Sequence, residues 1–206
     1  MTIFGKHVPA EWTDALLTVQ SVIPEAILAG GALRDLILGG EVKDLDVFVP
    51  ADPQRRLENL FEVLQFRHGW RQITTIPAGY VGTMRDEVAY VAGYRVPSMD
   101  TEVQIIALKQ METAGDAVRR MDFGACQIGM LSPTHFVWTD EAFLDLSSRR
   151  ITMLPPADEV QSGRSLLRAD RFRQKYGADG CDVVVDTSAG DRFLRAATLP
   201  WEQPVL

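Results

Sequence analysis

Apolar residues recur along this chain in two alternating periods, and the switches between them mark out its elements. Glu11 to Val22 has helical spacing, with Trp12, Leu16, Leu17 and Val19 among its apolar positions. Ala26 to Ala29 is a short apolar run that reads as a buried strand. Gly30-Gly31 turns the chain into a helix over Ala32 to Leu38, with Gly39-Gly40 as its stop. Leu45 to Val49 is again a strand, ended by Pro50. Asp52 is placed to cap a helix that has Pro53 at its first position and runs to about Phe66. Leu57, Leu60, Phe61 and Leu64 form its apolar face.

Trp70 to Ile76, Glu87 to Val96 and Thr101 to Leu108 are rich in β-branched and aromatic residues and predict three strands. A helix is expected around Met111 to Met121, and a short strand at Phe136-Val137-Trp138. A last long helix is expected from about Ser162 to Tyr176, stopped by Gly177. Beyond it the tail is less regular, and Leu199 to Pro204 reads as extended. This order predicts an α+β fold, a sheet domain followed by a helical extension.

Composition narrows the classes. The chain has 206 residues, 46% hydrophobic and 24% charged, which suits a globular domain and argues against global disorder. No apolar run approaches the roughly 18 residues that cross a bilayer, and the first residues lack a secretory apolar core, so the expected location is cytoplasmic, with no membrane partner. Two cysteines make no disulfide framework, and three scattered histidines have no zinc spacing. A net charge of −7 argues against a long nucleic-acid grip. One local exception is Arg164, Arg168, Arg171 and Lys175, whose spacings of 4, 3 and 4 make one all-basic helical stripe. Leu166, Ala169, Phe172 and Tyr176 fall on another side.

The chemistry centres on residues 27 to 49. Gly30-Gly31 lies between a strand and a helix, where bare backbone admits a phosphate to the positive end of that helix. Arg34, one turn in, could reach the same phosphate. Asp44 and Asp46 are two apart on a strand and share a face. Side-by-side carboxylates repel and call for a cation. Twelve residues separate Gly31 from Asp44, enough for a helix and a return to the neighbouring strand. A phosphate site beside two carboxylates suits Mg²⁺, which takes one or two carboxylates plus phosphate oxygens. A two-ion site fits in-line phosphoryl displacement, with Mn²⁺ as an alternative.

Gly-Gly, helix and Asp-x-Asp together resemble the polymerase-beta-like nucleotidyltransferase superfamily. Gly30-Gly31-Ala32-Leu33-Arg34-Asp35, Leu38-Gly39 and Asp44-Leu45-Asp46 are similar to the head of class II CCA-adding enzymes and bacterial poly(A) polymerases. Downstream, Glu102-Val103, Arg119-Arg120-Met121-Asp122-Phe123, Asp145-Leu146 with Arg149-Arg150-Ile151, and Leu167 to Phe172 with Tyr176-Gly177 are similar to later elements, the last being the neck helix. The resemblance covers roughly residues 25 to 177. It implies a nucleotidyltransferase-type mixed sheet flanked by helices over residues 1–155, and a helical neck and tail over 156–206. It implies that Asp44 and Asp46 bind magnesium, with Glu102 as the candidate third carboxylate. Gly30, Gly31, Arg34, Arg168 and Arg171 would hold the nucleotide, ATP or another NTP, with Arg164 as a further candidate.

The departures matter as much. Where CCA-adding enzymes carry an Asp and an Arg that read the base, this chain has Ser162 and Ser165. Met121 replaces an arginine, and Cys126, expected as buried filler, replaces an asparagine. Complete members continue through domains that hold tRNA, whereas about thirty residues follow the neck here, so the usual tRNA clamp is expected to be absent. The expected function is Mg-dependent transfer of NMP from an NTP to an acceptor hydroxyl. An RNA 3′ end of tRNA type is favoured as acceptor over a protein or a small molecule. The alternatives are a toxin-like modifier of tRNA or protein, and a catalytically weak nucleotide-binding module.

Overall fold

The computed structural model describes residues 2–77, 87–178, 180–191 and 193. In chain order, a small hairpin of β1 (Thr2–Ile3) and β2 (Lys6–His7) precedes α1 (Ala10–Gln20). Next come β3 (Ile27–Ala29), α2 (Gly31–Leu38), β4 (Asp44–Pro50) and α3 (Gln54–Glu62), which runs into a π-turn at Val63–Arg67. Three strands follow, β5 (Arg71–Pro77), β6 (Val88–Arg95) and β7 (Glu102–Leu108). The rest is α4 (Ala114–Arg119), β8 (Ile128–Ser132), β9 (His135–Trp138), α5 (Asp140–Ser147), β10 (Arg150–Thr152), α6 (Glu159–Ala178) and β11 (Val184–Asp186).

Seven strands form one sheet in the order β5-β6-β7-β4-β3-β8-β9. Only β4 and β7 run parallel within it, and its other neighbours are antiparallel, so the sheet is mixed and the fold α+β. β10 pairs in parallel with β11 outside that sheet, tying the segment after α6 back to the chain before it.

The two central strands explain where a cleft can open. On one face, Leu45, Val47 and Val49 of β4 and Val103, Ile105 and Ala107 of β7 are fully buried. The other face starts polar, with Asp44 and Asp46 beside Glu102 and Gln104, and ends apolar at Phe48 and Ile106. Strands buried on both faces are normally apolar throughout. The polar start marks the place where the covering layer is missing.

Several expected boundaries shift for local reasons. Asp52 does not cap α3: Pro53 takes that position without a side-chain cap bond, after a cis Asp52–Pro53 peptide. Of the expected apolar face of that segment, Leu57, Leu60 and Leu64 are buried and Phe61 packs partly buried against the core, while Phe66, the expected end of the helix, is 83% exposed. The helix expected over Met111 to Met121 narrows to α4, started by a capping box between Thr113 and Asp116. α6 begins at Glu159, earlier than expected, because Asp158 Oδ1 accepts from the Gln161 amide at 2.7 Å. Gly177 does not stop it. The left-handed glycine is Gly180, at φ 62°, and the Cys181 amide closes the end on the Tyr176 carbonyl at 3.0 Å. The stretch Leu199 to Pro204 lies outside the described residues.

Candidate active site

The antiparallel register Ile27↔Phe48 and Leu28↔Val47 carries the end of β3 to the start of β4. The Gly30-Gly31 turn and the two aspartates therefore meet at one end of the central strands. Gly30 adopts φ 89°, which L side chains rarely take, and a Cβ there would stand 3.3 Å from Met121 Cε. Gly31 opens α2 and lines the cleft below it.

Asp44 and Asp46 both line this cleft, half-buried, with Phe48, Val88 and Ile106 deeper in. Burial, and next the charge of Asp44, pushes the Asp46 carboxyl up to about 7, against the pull of Arg168 and Arg34. Burial also raises Asp44, with Asp35 adding to it and Lys175, Arg34 and Lys43 opposing. Two adjacent carboxylates that resist ionising together form a donor set suited to one hard divalent cation completed by phosphate oxygens.

A third acidic ligand is not assembled: among the described residues no trio of His, Cys, Asp or Glu is grouped to hold a metal. Parallel register sets Glu102 level with Asp44, but its Oε1 lies over Gly93 beside Thr74 Oγ1, and Glu102 does not line the cleft. Gln104, level with Asp46, does line it, and its Nε2 donates to Asp44 Oδ2 at 3.3 Å.

The opposite wall is α6. Ser162, Ser165, Ala169, Phe172 and Tyr176 form its buried stripe. That packing turns Arg168, Arg171, Gln174 and Lys175 toward the aspartates across a cleft of about 820 Å³. Arg168 is anchored by Asp122, its Nη1 donating to Oδ1 at 2.6 Å, and Ser165 Oγ donates to the other oxygen at 2.6 Å. Arg164 lies outside the cleft lining.

Arg34 has a different position from the one its spacing suggests. It is 6% exposed, and its Nε and Nη2 donate to Asp35 Oδ1 at 2.9 and 2.7 Å. Nη1 donates to Cys126 Sγ at 2.9 Å, and the guanidinium stacks over Phe172 at 4.3 Å. Asp35 also accepts from the Tyr176 hydroxyl and from Lys175 Nζ. Arg34 thus forms the cleft floor and joins α2 to α6. Burial pushes the Cys126 thiol up, with Arg34 opposing, so Cys126 stays a neutral packing group.

The geometry therefore brings together Gly31, Arg34, Asp44, Asp46, Arg168 and Arg171, with Gly30 shaping the turn, and leaves Glu102 and Arg164 at the margin. Gln104, Lys43 and Gln174 also line the cleft without having been assigned from the sequence pattern. The signal for Gln104 was its place two residues after Glu102 on the same strand face. Ser162 and Ser165 are buried in the packing of α6 and present nothing to a base. Arg120, next to Met121, pairs with Glu87 at 2.9 Å, and Asp145 staples the Ala125 and Thr152 amides.

A mixed sheet whose central parallel pair opens on paired aspartates, beside a glycine turn into a helix, is a fold that this chain shares with CCA-adding enzymes of known structure. The chain belongs to a particular family: residues 6–150 match the one described as Gabija anti-defense 2 family protein (Gad2). The chain is also similar to a CCA-adding enzyme of Levilactobacillus brevis, 28% identical over 81% of this chain and 42% of that protein. A CCA-adding enzyme of Leuconostoc citreum is 27% identical over 88% of this chain and 44% of its own length. Among solved structures, the Thermotoga maritima CCA-adding enzyme complexed with tRNA matches 94% of this chain and 43% of its own, at a TM-score of 0.65 and 18% identity. The chain thus spans less than half the length of these relatives.

Proposed function

We propose that this chain is a Mg-dependent nucleotidyltransferase, moving NMP from an NTP to an acceptor hydroxyl. The observation that carries this reading is the pairing of Asp44 and Asp46 with a basic wall, Arg168, Arg171 and Lys175, across one cleft. Residues 1–155 supply the carboxylates and 156–206 the basic wall, which supports treating them as head and neck. A divalent cation held by Asp44 and Asp46 would neutralise phosphate charge and polarise the α-phosphoryl group. Arg171 and Lys175 hold the triphosphate tail, and Arg168, fixed by Asp122, keeps its charge aimed at the departing pyrophosphate. Arg34 keeps α6 at the distance that lets both walls engage one nucleotide. The acceptor oxygen bonds to the α-phosphorus, the bridge to the β-phosphate breaks, and the hydroxyl proton passes to solvent.

Base choice is broad in this reading, because Ser162 and Ser165 are buried where CCA-adding enzymes carry their base-reading pair. The named activity of the CCA-adding relatives supports an RNA 3′ end as acceptor. The anti-defense description of the family supports a second reading, modification of a protein or RNA that belongs to the defence itself. Incubating the chain with Mg²⁺ and each α-labelled NTP in extracts of cells with and without the Gabija defence separates these. Ribonuclease-sensitive label in both extracts supports RNA in general. Label that needs the defence supports the second reading, with protease or ribonuclease sensitivity naming the acceptor. No label and no pyrophosphate in any extract contradicts transfer.

A further inference from the structure

We propose that the cleft is built for one divalent cation, brought in with the nucleotide, and that Gln104 is the residue that fixes this number. The proposal rests on the reading above that Asp44 and Asp46 hold such a cation. Parallel register places Gln104 beside Asp46 and Glu102 beside Asp44, with all four side chains leaving the same face. A second cation in this corner would share the two aspartates and would need further negative charge, which hard cations draw from carboxylates. The cleft position next to Asp46 belongs instead to a neutral amide. Its N–H is directed at Asp44 Oδ2, 3.3 Å away, so the amide occupies a lone pair on a ligand oxygen and adds no charge.

Two further acids lie near: Glu41 lines the cleft from the loop after α2, where its carbonyl accepts from Lys175 Nζ, and Glu102 lies on the sheet but is turned aside. Gly93 of β6, in register with Gln104, leaves a hollow into which Glu102 turns. A Cβ on Gly93 would come within 2.2 Å of Glu102 Oε1 and 2.3 Å of Thr74 Oγ1. Glu102 thus lies along the sheet toward Thr74 and away from Asp46. The consequence is an asymmetric site. Arg168, Arg171 and Lys175 stand on one side of the aspartates, while among the described residues the strand position level with Asp46 offers a neutral amide where a charged group could have helped to activate a hydroxyl. Such a site holds nucleotide well and transfers it slowly unless the acceptor itself is highly reactive.

The test counts bound Mn²⁺ by electron paramagnetic resonance in the presence of an NTP analogue whose α–β bridge is methylene. The wild-type chain should bind one Mn²⁺ per protein, and Gln104→Glu should bind two and raise the rate of NMP transfer about tenfold. Glu102→Gln should leave the count at one. Two Mn²⁺ in the wild type, or a count of one in a folded Gln104→Glu variant, overturns the proposal while leaving nucleotidyl transfer intact. The wild-type count is decisive without any variant. Failure of the underlying reading looks different: no Mn²⁺ bound with the analogue, or a count that Asp44→Ala does not change.

Discussion

Asp46 and Arg168 face each other across the cleft, and each combines a proposed ligand role with a structural consequence that can be measured separately. Asp46 holds its proton up to about pH 7 in the folded chain, against an ordinary value of 3.8. The folded state therefore binds more protons than the unfolded state between these values. Stability is fully present below about pH 4 and is lost as pH rises through 7. In chelator, Asp46→Asn should melt on the order of 5 °C above wild type at pH 8 and level with it near pH 4. Adding Mg²⁺ with NTP should stabilise wild type and leave the variant behind. A variant that melts with wild type at both pH values would contradict the burial argument. On the facing wall, Arg168→Ala strips the buried Asp122 of its cation and should cost about 3 kcal/mol in urea unfolding. Arg171 is exposed, so its loss should change stability by less than about 0.5 kcal/mol. Both variants should weaken NTP binding about tenfold by calorimetry.

Among the elements, α6 decides whether the cleft has two walls. Its hold on α2 runs through one carboxylate: Asp35 accepts from Arg34, Lys175 and Tyr176. Asp35→Ala leaves the Arg34 guanidinium buried without a carboxylate, at about 3–5 kcal/mol. Tyr176→Phe removes two hydrogen bonds, the one its hydroxyl donates to Asp35 and the one it accepts from Arg34, at about 2 kcal/mol. Denaturant melts should rank the two in that order, and equal costs would contradict a shared Asp35 anchor. Gly40 leaves room for the same contact, since a Cβ there would stand 2.8 Å from Tyr176 Cε1. This scale also separates what the chain disclosed from what it concealed. The glycine turn, the two aspartates and the basic stripe were legible because each depends on spacing within one or two elements. The burial of Arg34 was not, because its partners Cys126 and Tyr176 lie 92 and 142 residues away. β8 and α5 escaped notice as well. β8 is five residues, includes Gly129 and follows a 3-10 turn, and α5 leaves Phe143 and Leu144 exposed, which blurs its apolar period.

For the whole molecule, charge and sequence likeness set the frame. The net charge is −7, whereas Arg168, Arg171 and Lys175 stand together on one wall of the cleft, so attraction for polyanions is local. Among the described residues no helix is long and apolar enough to cross a membrane. The α+β order was readable from the whole chain because the helical and strand periods alternate cleanly. The acceptor was not, because no spacing within one or two elements encodes it. The central claim is that Asp44 and Asp46 make this cleft a centre of nucleotidyl transfer. Its most direct test is pyrophosphate release with Mg²⁺, NTP and cell extract, comparing wild type with the Asp44→Ala/Asp46→Ala double variant. Circular dichroism monitors the fold of both. The account predicts release by wild type, and loss of at least a hundredfold in a double variant that remains folded. Undiminished release by the folded double variant would contradict it.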